Sequence, residues 1–536
     1  MSSTSTAGVR AAQAGATLTE YLEGGAGSAP ALDGGQRQQV VDAMLAAVAG
    51  VYAHLPLKRA GYALDPVQAL VLLRRRCADL DDSAFHLALT RIVTGLRDAH
   101  TRYRGPSTTA GRVAALPFLV ETFGPDDDPT YIVSKLSPGA DVGDPGFVEG
   151  VELCWWNAVP MARAVELHAD SETGGRFDAR RARALESLTF RALDYGPPPD
   201  EHWVVLGYRT AGGSTGEVTV PWRVLAPGWD VAASSPAPSA LHVAADPARQ
   251  AVRRARTLLF APDAWTAGTA RRQRRPSFDD VVTATVLPGG FGHLRLWTFD
   301  VEDDDAYVAH VTGLLDDLPP AGLVVDLRGN PGGLVWAAER LLQLLTDAQI
   351  APTRFSLLAT PLTRGMAQSP FNRLELGAWA ASLDAAVTTG ESYSRSLPLT
   401  DPEWCNDIGR RYAGPVVAVV DANTYSSGDL FAAGFVDHGI GPLVCVGEAT
   451  GGGGANVWTD AQIIDALAST GTPLPPLPAG TGFTMSVRRA VRSGSADGMP
   501  IEDAGISGIP YAMTRDDVQH GNRDLLAFCT HQLELV

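Results

Sequence analysis

Hydrophobic positions change their rhythm along this chain. Between residues 36 and 104 they recur at three- and four-residue intervals, in "GQRQQVVDAMLAAVAGVYAHL" and "DPVQALVLLRRRCADL". That spacing predicts helices, and "DDSAFHLALTRIVTGLRDAH" opens on an Asp/Ser cap. From about residue 112 short alternating runs take over: "AALPFLVETF", "PTYIVSKL", "VEGVELCWWNAVP", "HWVVLGYRT" and "GEVTVPWRV". Each is bounded by Gly, Pro or Asp, which predicts a small β-rich module. From about residue 283 continuous apolar stretches such as "GLVVDLRG", "PVVAVVD" and "LVCVGE" alternate with helical ones. Continuous apolar strands between helices predict an α/β layer around a buried, parallel-type sheet.

These changes divide the chain. Residues 1–35 are Ser/Ala/Gly-rich and expected to be disordered, at least until "TLTEYLEG" at 17–24. A helical region covers 36–111, the β-rich module 112–225 and the α/β core 283–536. Between module and core, residues 226–282 are Pro/Ala/Ser-rich and carry the basic runs "RQAVRRAR" and "RRQRR". A solvated linker is the simplest expectation there, and an exposed, cleavable activation segment is the sharper one. No internal repeat of solenoid length is present.

Composition narrows the function classes. Over 536 residues, 43 basic side chains stand against 60 acidic ones, a net charge of −17. An acidic surface argues against nucleic acid or an anionic membrane as partner. Five scattered cysteines, Cys77, Cys154, Cys405, Cys445 and Cys529, never fall in C-x-x-C spacing and suggest neither a disulfide framework nor a zinc site. No signal-peptide pattern opens the chain, and no stretch approaches the roughly 20 apolar residues of a membrane span. A soluble, cytoplasmic protein without metal or other cofactor is the expectation.

Candidate chemistry begins with a decoy. "GGSTG" at 212–216 fits the G-x-S-x-G pattern, but strands flank it on both sides, so Ser214 reads as a hairpin turn. In "YSSGDLFAAG", by contrast, a buried strand gives way to serines at a helix start. There a hydroxyl lies at the C-terminal edge of the sheet and near free helix N–H groups. Ser and Asp before a helix are also ordinary caps, and this segment alone favours that plainer reading. "DLRGNPGG", residues 326–333, has two glycines after Pro331, which let adjacent N–H groups face outward as an oxyanion hole requires. The run "GGGG" at 451–454 lacks the features of a phosphate loop and reads as backbone passing close to something, a substrate strand being one candidate.

Together, "DLRGNPGG" and "YSSGDLFAAGFVDHG" followed by "LVCVGEATGGGG" resemble the tail-specific, or C-terminal processing, serine protease family. The resemblance is strong over 283–536 and suggestive over 60–225. It implies Ser426 as nucleophile, Asp429 as its neighbouring acid, and an oxyanion hole from the backbone of Ser427, Gly332 and Gly333. From the glycine run itself, Gly452 and Gly453 are the expected substrate-binding positions. The resemblance also implies a multidomain α/β fold, with a crotonase/Clp-protease-like core, an N-terminal helical region and a PDZ-like module. One branch of the family uses a Ser-Lys dyad. Here Gly453 stands where that lysine belongs, and residues 416–536 contain no lysine.

The branch that includes the chlamydial and tricorn proteases uses histidine and glutamate instead. "GLRDAHTRYRGP" resembles its histidine string and "GMPIEDAGISGIPY" its closing segment, which implies a Ser426–His100–Glu502 triad. His438 is a rival base, and Asp503 and Asp437 are rival acids. Ala99 stands where the tricorn branch has a serine. The implied activity is endopeptidase cleavage of extended or unfolded peptides through an acyl-enzyme, with self-association, as a homodimer, expected from relatives. Two alternatives stand: a non-catalytic binding relative, and a peptide/ester hydrolase or acyltransferase using the same triad.

Overall fold

The computed structural model describes residues 15–24, 31–106, 111–140, 142–194, 198–226, 247–261, 278–468 and 470–535. Strands among these residues form four sheets in a mixed α/β, multidomain architecture.

Helices Gly34–Gly50, Leu55–Tyr62, Pro66–Arg76 and Asp82–Gly95 build the N-terminal region. Three of them start on Asp33, Asp65 and Asp81, whose side chains accept free N–H groups of the first turn. Their apolar stripe (Val40, Met44, Ala47, Leu70, Leu89) joins the same hydrophobic cluster as Leu323, Phe431 and Met485 of the C-terminal half. The helical region and the α/β core therefore share one interior.

The β-rich module keeps a second core around Phe118, Leu206 and Trp222. Its larger sheet is antiparallel, with strands Thr215–Pro221, Trp203–Arg209, Glu152–Trp156, Thr130–Leu136 and Phe118–Phe123 in spatial order. Ser214 sits in the tight turn joining the first two, where the Thr210 N–H donates to its carbonyl at 2.8 Å. Around "TLTEYLEG", where the expected disorder reaches its limit, the chain forms strand Ala16–Thr17 and helix Leu18–Glu23. Leu18 is fully buried there, and Thr17 and Glu20 close a capping box. Within 226–282, helix Pro247–Phe260 packs Ala255 and Leu259 against Val113 and Phe190. The run "RRQRR" lies outside the described residues.

The core sheet runs Val282–Val286, Gly292–Leu296, Leu323–Asp326, Val416–Asp421, Leu443–Val446 and Ile509–Tyr511, and every pairing after the first is parallel. Its strands are apolar on both faces because both are covered. Val416, Ala418 and Val420 face the main core, while Val417 and Val419 meet Leu525, Cys529 and Leu533 of helix Arg523–Glu534. A second sheet is centred on the long strand Gly482–Val491. Strand Arg102–Arg104 pairs with its start, Arg102 opposite Thr484, and so ties the N-terminal region to the core. Among the described residues no single helix is long and apolar enough to cross a membrane.

Candidate active site

The strand Val416–Asp421 ends beneath a tight turn. The Asp421 carboxylate accepts the N–H groups of Gly329, Asn423 and Thr424, which stitches "DLRGNPGG" to "DANTYSS". Ser426 follows at φ 60° and ψ −123°, a conformation that L-residues rarely adopt and that costs about 1–3 kcal/mol. Helix Ser427–Asp437 starts on the next residue. The Ser426 side chain is buried and its Oγ has no hydrogen-bond partner. It does not cap the helix, so the ordinary-cap reading does not describe its role.

Gly332 allows this approach. A Cβ there, at φ 95°, meets the Ser426 Cβ at 2.5 Å and the Ser427 nitrogen at 2.8 Å. Gly333 is tighter, with a Cβ falling 2.0 Å from the Phe299 carbonyl carbon. The Ser427 Oγ donates to the Gly333 carbonyl at 2.8 Å. The Gly332 N–H donates to Asn330 Oδ1 at 2.8 Å. Ser427, in the first turn of the helix, has an N–H that the helix itself does not use.

Asp429 fastens the second glycine run. Its buried carboxylate accepts the N–H of Gly452 at 3.0 Å, that of Gly453 at 2.9 Å, and the Thr450 hydroxyl. Burial pushes this carboxyl up, and those hydrogen bonds pull it back. Gly453 lies so close to Tyr425 that a Cβ sits 1.9 Å from its ring. The Gly452 and Gly453 amides expected to meet peptide are thus held by Asp429.

His100 reaches this turn through strand pairing. The Thr484 hydroxyl donates to its carbonyl at 2.8 Å, and its own N–H donates to Asp98 Oδ1 at 2.8 Å. Asp98 also accepts the hydroxyls of Thr101 and Ser486, each at 2.8 Å. The His100 ring packs on Tyr425 with centroids 4.7 Å apart, next to Ser426 in sequence, and the Arg183 guanidinium lies 4.5 Å from the same Tyr425 ring. His438 is elsewhere. It caps the far end of the helix, accepting the Ala351 N–H at 2.8 Å.

Glu502 is buried in a cluster of charges. Lys58 Nζ lies 2.7 Å from Glu502 Oε1, 2.6 Å from Asp503 Oδ1 and 3.0 Å from the Arg97 carbonyl. His54 Nε2 stands 3.6 Å from Glu502 Oε2. Burial pushes the Glu502 carboxyl well above the usual carboxylate range, and the Lys58 ammonium pulls against it. Burial acts on Asp98 in the same sense, but His54, His100 and Lys58 hold that carboxyl well below its ordinary value. Burial pushes His54 down to about 3, so it is neutral. Ligand atoms of His54, Asp98 and Glu502 all lie within 4.8 Å of one another, the composition of a metal site, and the Lys58 ammonium already supplies a cation beside them. The rival Asp437 is engaged by Arg492 at 2.6 Å and Asp503 by Lys58.

The family model that matches is "Peptidase family S41", over residues 290–470. Residues 290–470 thus carry a peptidase family S41 domain, about a third of the chain. The matched domain is that of a serine-type peptidase. Among curated proteins no sequence matches it. Among solved structures, mature CPAF is similar over 93% of this chain and 98% of its own, at 18% identity and a TM-score of 0.63. Mature CPAF complexed with lactacystin gives 17% identity and a TM-score of 0.62, covering 94% of this chain and 98% of its own. The photosystem II D1 C-terminal processing protease covers 88% of this chain and 92% of its own, at 14% identity and a TM-score of 0.38.

The sequence-derived residues fall into two groups. Ser426, Ser427, Gly332, Gly333, Gly452 and Gly453 surround one turn, and His100 borders it through Tyr425. Glu502 lies with His54, Lys58, Asp98 and Asp503, and of these His54 and Lys58 belong to neither site string. Asp98, two residues before His100, is the one a turn signal can reveal, since an aspartate there accepts the N–H two residues on. Lys58, in "LPLKRAGY", has the look of a surface charge.

Proposed function

We propose that this chain is a serine endopeptidase acting on extended or unfolded peptide segments, with Ser426 as nucleophile, His100 as general base and Glu502 as the carboxylate that stabilises the imidazolium. The observation that carries this reading is Ser426 itself: buried, strained at φ 60°, with its Oγ uncommitted at a helix start. Oγ attacks the scissile carbonyl while His100 takes its proton. The developing oxyanion meets the Ser427 N–H at the positive end of the helix, with Gly332 and Gly333 as its other walls. His100 returns the proton to the leaving amine, and water then releases the acyl group by the same steps in reverse. The core is read as crotonase/Clp-protease-like. The β-rich module is read as PDZ-like, a fold that takes peptides by strand addition.

Hydrolysis of an unfolded protein substrate and of simple esters, by the purified chain and its Ser426→Ala variant, tests the proposal. The expectation is peptide-bond cleavage that falls by roughly a thousand-fold or more in the variant. Ester cleavage without peptide cleavage moves the assignment to another acyl-transfer chemistry.

A further inference from the structure

Residues 416–536 contain no lysine that could serve as the base of a Ser-Lys dyad. The structure places a lysine beside the other end of the triad, from the N-terminal helix Leu55–Tyr62. Lys58 is fully buried, and its ammonium is held at 2.7 Å from Glu502, 2.6 Å from Asp503 and 3.0 Å from the Arg97 carbonyl. Those three acceptors fill the three donors of an ammonium. The carboxylates around it keep Lys58 protonated against burial, so it cannot take a proton from serine.

We propose that Lys58 is a positioning residue for catalysis: it pins Glu502 by one oxygen, balances the surrounding carboxylates, and leaves the second oxygen facing His54. This rests on the reading of Glu502 as the triad acid. Glu502 Oε2 has no hydrogen-bond partner and faces His54 Nε2 at 3.6 Å, and neither His54 nitrogen has one. Other groups bear on the same cluster. Tyr62, on the lysine's own helix, hydrogen-bonds Asp503. Asp98 and His100 come from the loop after helix Asp82–Gly95, and Tyr425 from the nucleophile turn. Tyr52 adds a buried phenol, and Arg489 of strand Gly482–Val491 acts on His54.

The sign follows from this charge balance. Asp98, Glu502 and Asp503 carry three carboxyls around one ammonium. Burial already raises the Glu502 carboxyl against the pull of Lys58, so without Lys58 it keeps its proton to still higher pH, and a neutral carboxyl stabilises an imidazolium poorly. The working form is the carboxylate, present above its pKa, so removing Lys58 moves the acid limb of the rate profile to higher pH. An opposite charge at this range is worth about 1–3 pH units. His54 is neutral across that range and does not replace the lost charge.

The test is the pH profile of kcat and KM on a peptide substrate for the full chain and the variants Lys58→Met, Lys58→Arg, Glu502→Gln and Lys58→Met/Glu502→Gln. For Lys58→Met the expectation is a kcat about 10- to 100-fold lower at pH 7, a KM within about two-fold, and a deficit that shrinks by pH 9. Lys58→Arg restores the profile. In the Glu502→Gln background, removing Lys58 costs less than about three-fold. A loss that is uniform with pH, or equal in both backgrounds, overturns the proposal while leaving Glu502 in place. An unimpaired Glu502→Gln chain overturns the triad reading, and this proposal with it. Should Lys58→Met not fold, Lys58→Gln carries the same cycle. Should that fail too, a Lys58→Arg profile shifted by more than about one unit overturns the proposal.

Discussion

The two halves of this site are built in different ways. Around Ser426 the work is done by backbone: a strained residue, glycines that let chains approach, and N–H groups tied to Asp421 and Asp429. Around Glu502 it is done by charge. Buried side chains from the helix Leu55–Tyr62, the loop at 97–100 and the segment at 502–503 balance one another away from water. The first half fails when a methyl group is added, and the second when a proton is gained or lost.

The largest effect that separates them comes from Gly332→Ala. The added Cβ meets Ser426 and Ser427 at 2.5 and 2.8 Å from a φ of 95°. Overpacking and backbone strain together predict a loss of about 3 kcal/mol or more, with peptidase activity falling below detection. Chemical denaturation and a peptide assay check it, and a stable, active variant breaks the contrast. Asp429→Ala comes next, because it leaves the Gly452 and Gly453 amides and the Thr450 hydroxyl without their acceptor. We expect a loss of about 2–4 kcal/mol, and a smaller one for Asp429→Asn, which keeps one acceptor.

The charged half responds to pH. His54 and His168 are both pushed by burial down to about 3, from an ordinary 6.5. Above 6.5 they are neutral in both folded and unfolded chains. As pH falls through that value the unfolded chain binds protons that the folded chain refuses until about 3, so stability is lost in that window. At pH 5 each contributes a loss of about 2 kcal/mol. Thermal unfolding between pH 7 and pH 4 should show a falling Tm, with a shallower slope in His54→Gln. An unchanged slope removes His54 from the account.

This division also explains what the sequence made legible. Backbone geometry leaves strings: the glycines of "DLRGNPGG", the paired serines, and the apolar alternation of Val416–Val420 that both faces of the sheet require. Buried charge leaves none, because Lys58 meets Asp503 across 445 residues of chain and reads locally like any helical lysine. Asp98 is legible only in part, since its bonds from His100 and Thr101 are local and the one from Ser486 is not. His100 was reached through a family string, and the strand Arg102–Arg104 that carries it to Thr484 is only three residues long, too short to announce itself. Helix Pro247–Phe260 was hidden in the same way. Its arginines dominate a composition that reads as linker, while Ala255 and Leu259 do the packing.

The central claim is that Ser426 is a nucleophile activated by His100. Labelling of the intact chain with a fluorophosphonate, located by peptide mass spectrometry, tests it most directly. The account predicts one adduct on Ser426, formed at least about a hundred-fold more slowly in His100→Ala. An adduct on another serine, or equal labelling of both chains at Ser426, contradicts it.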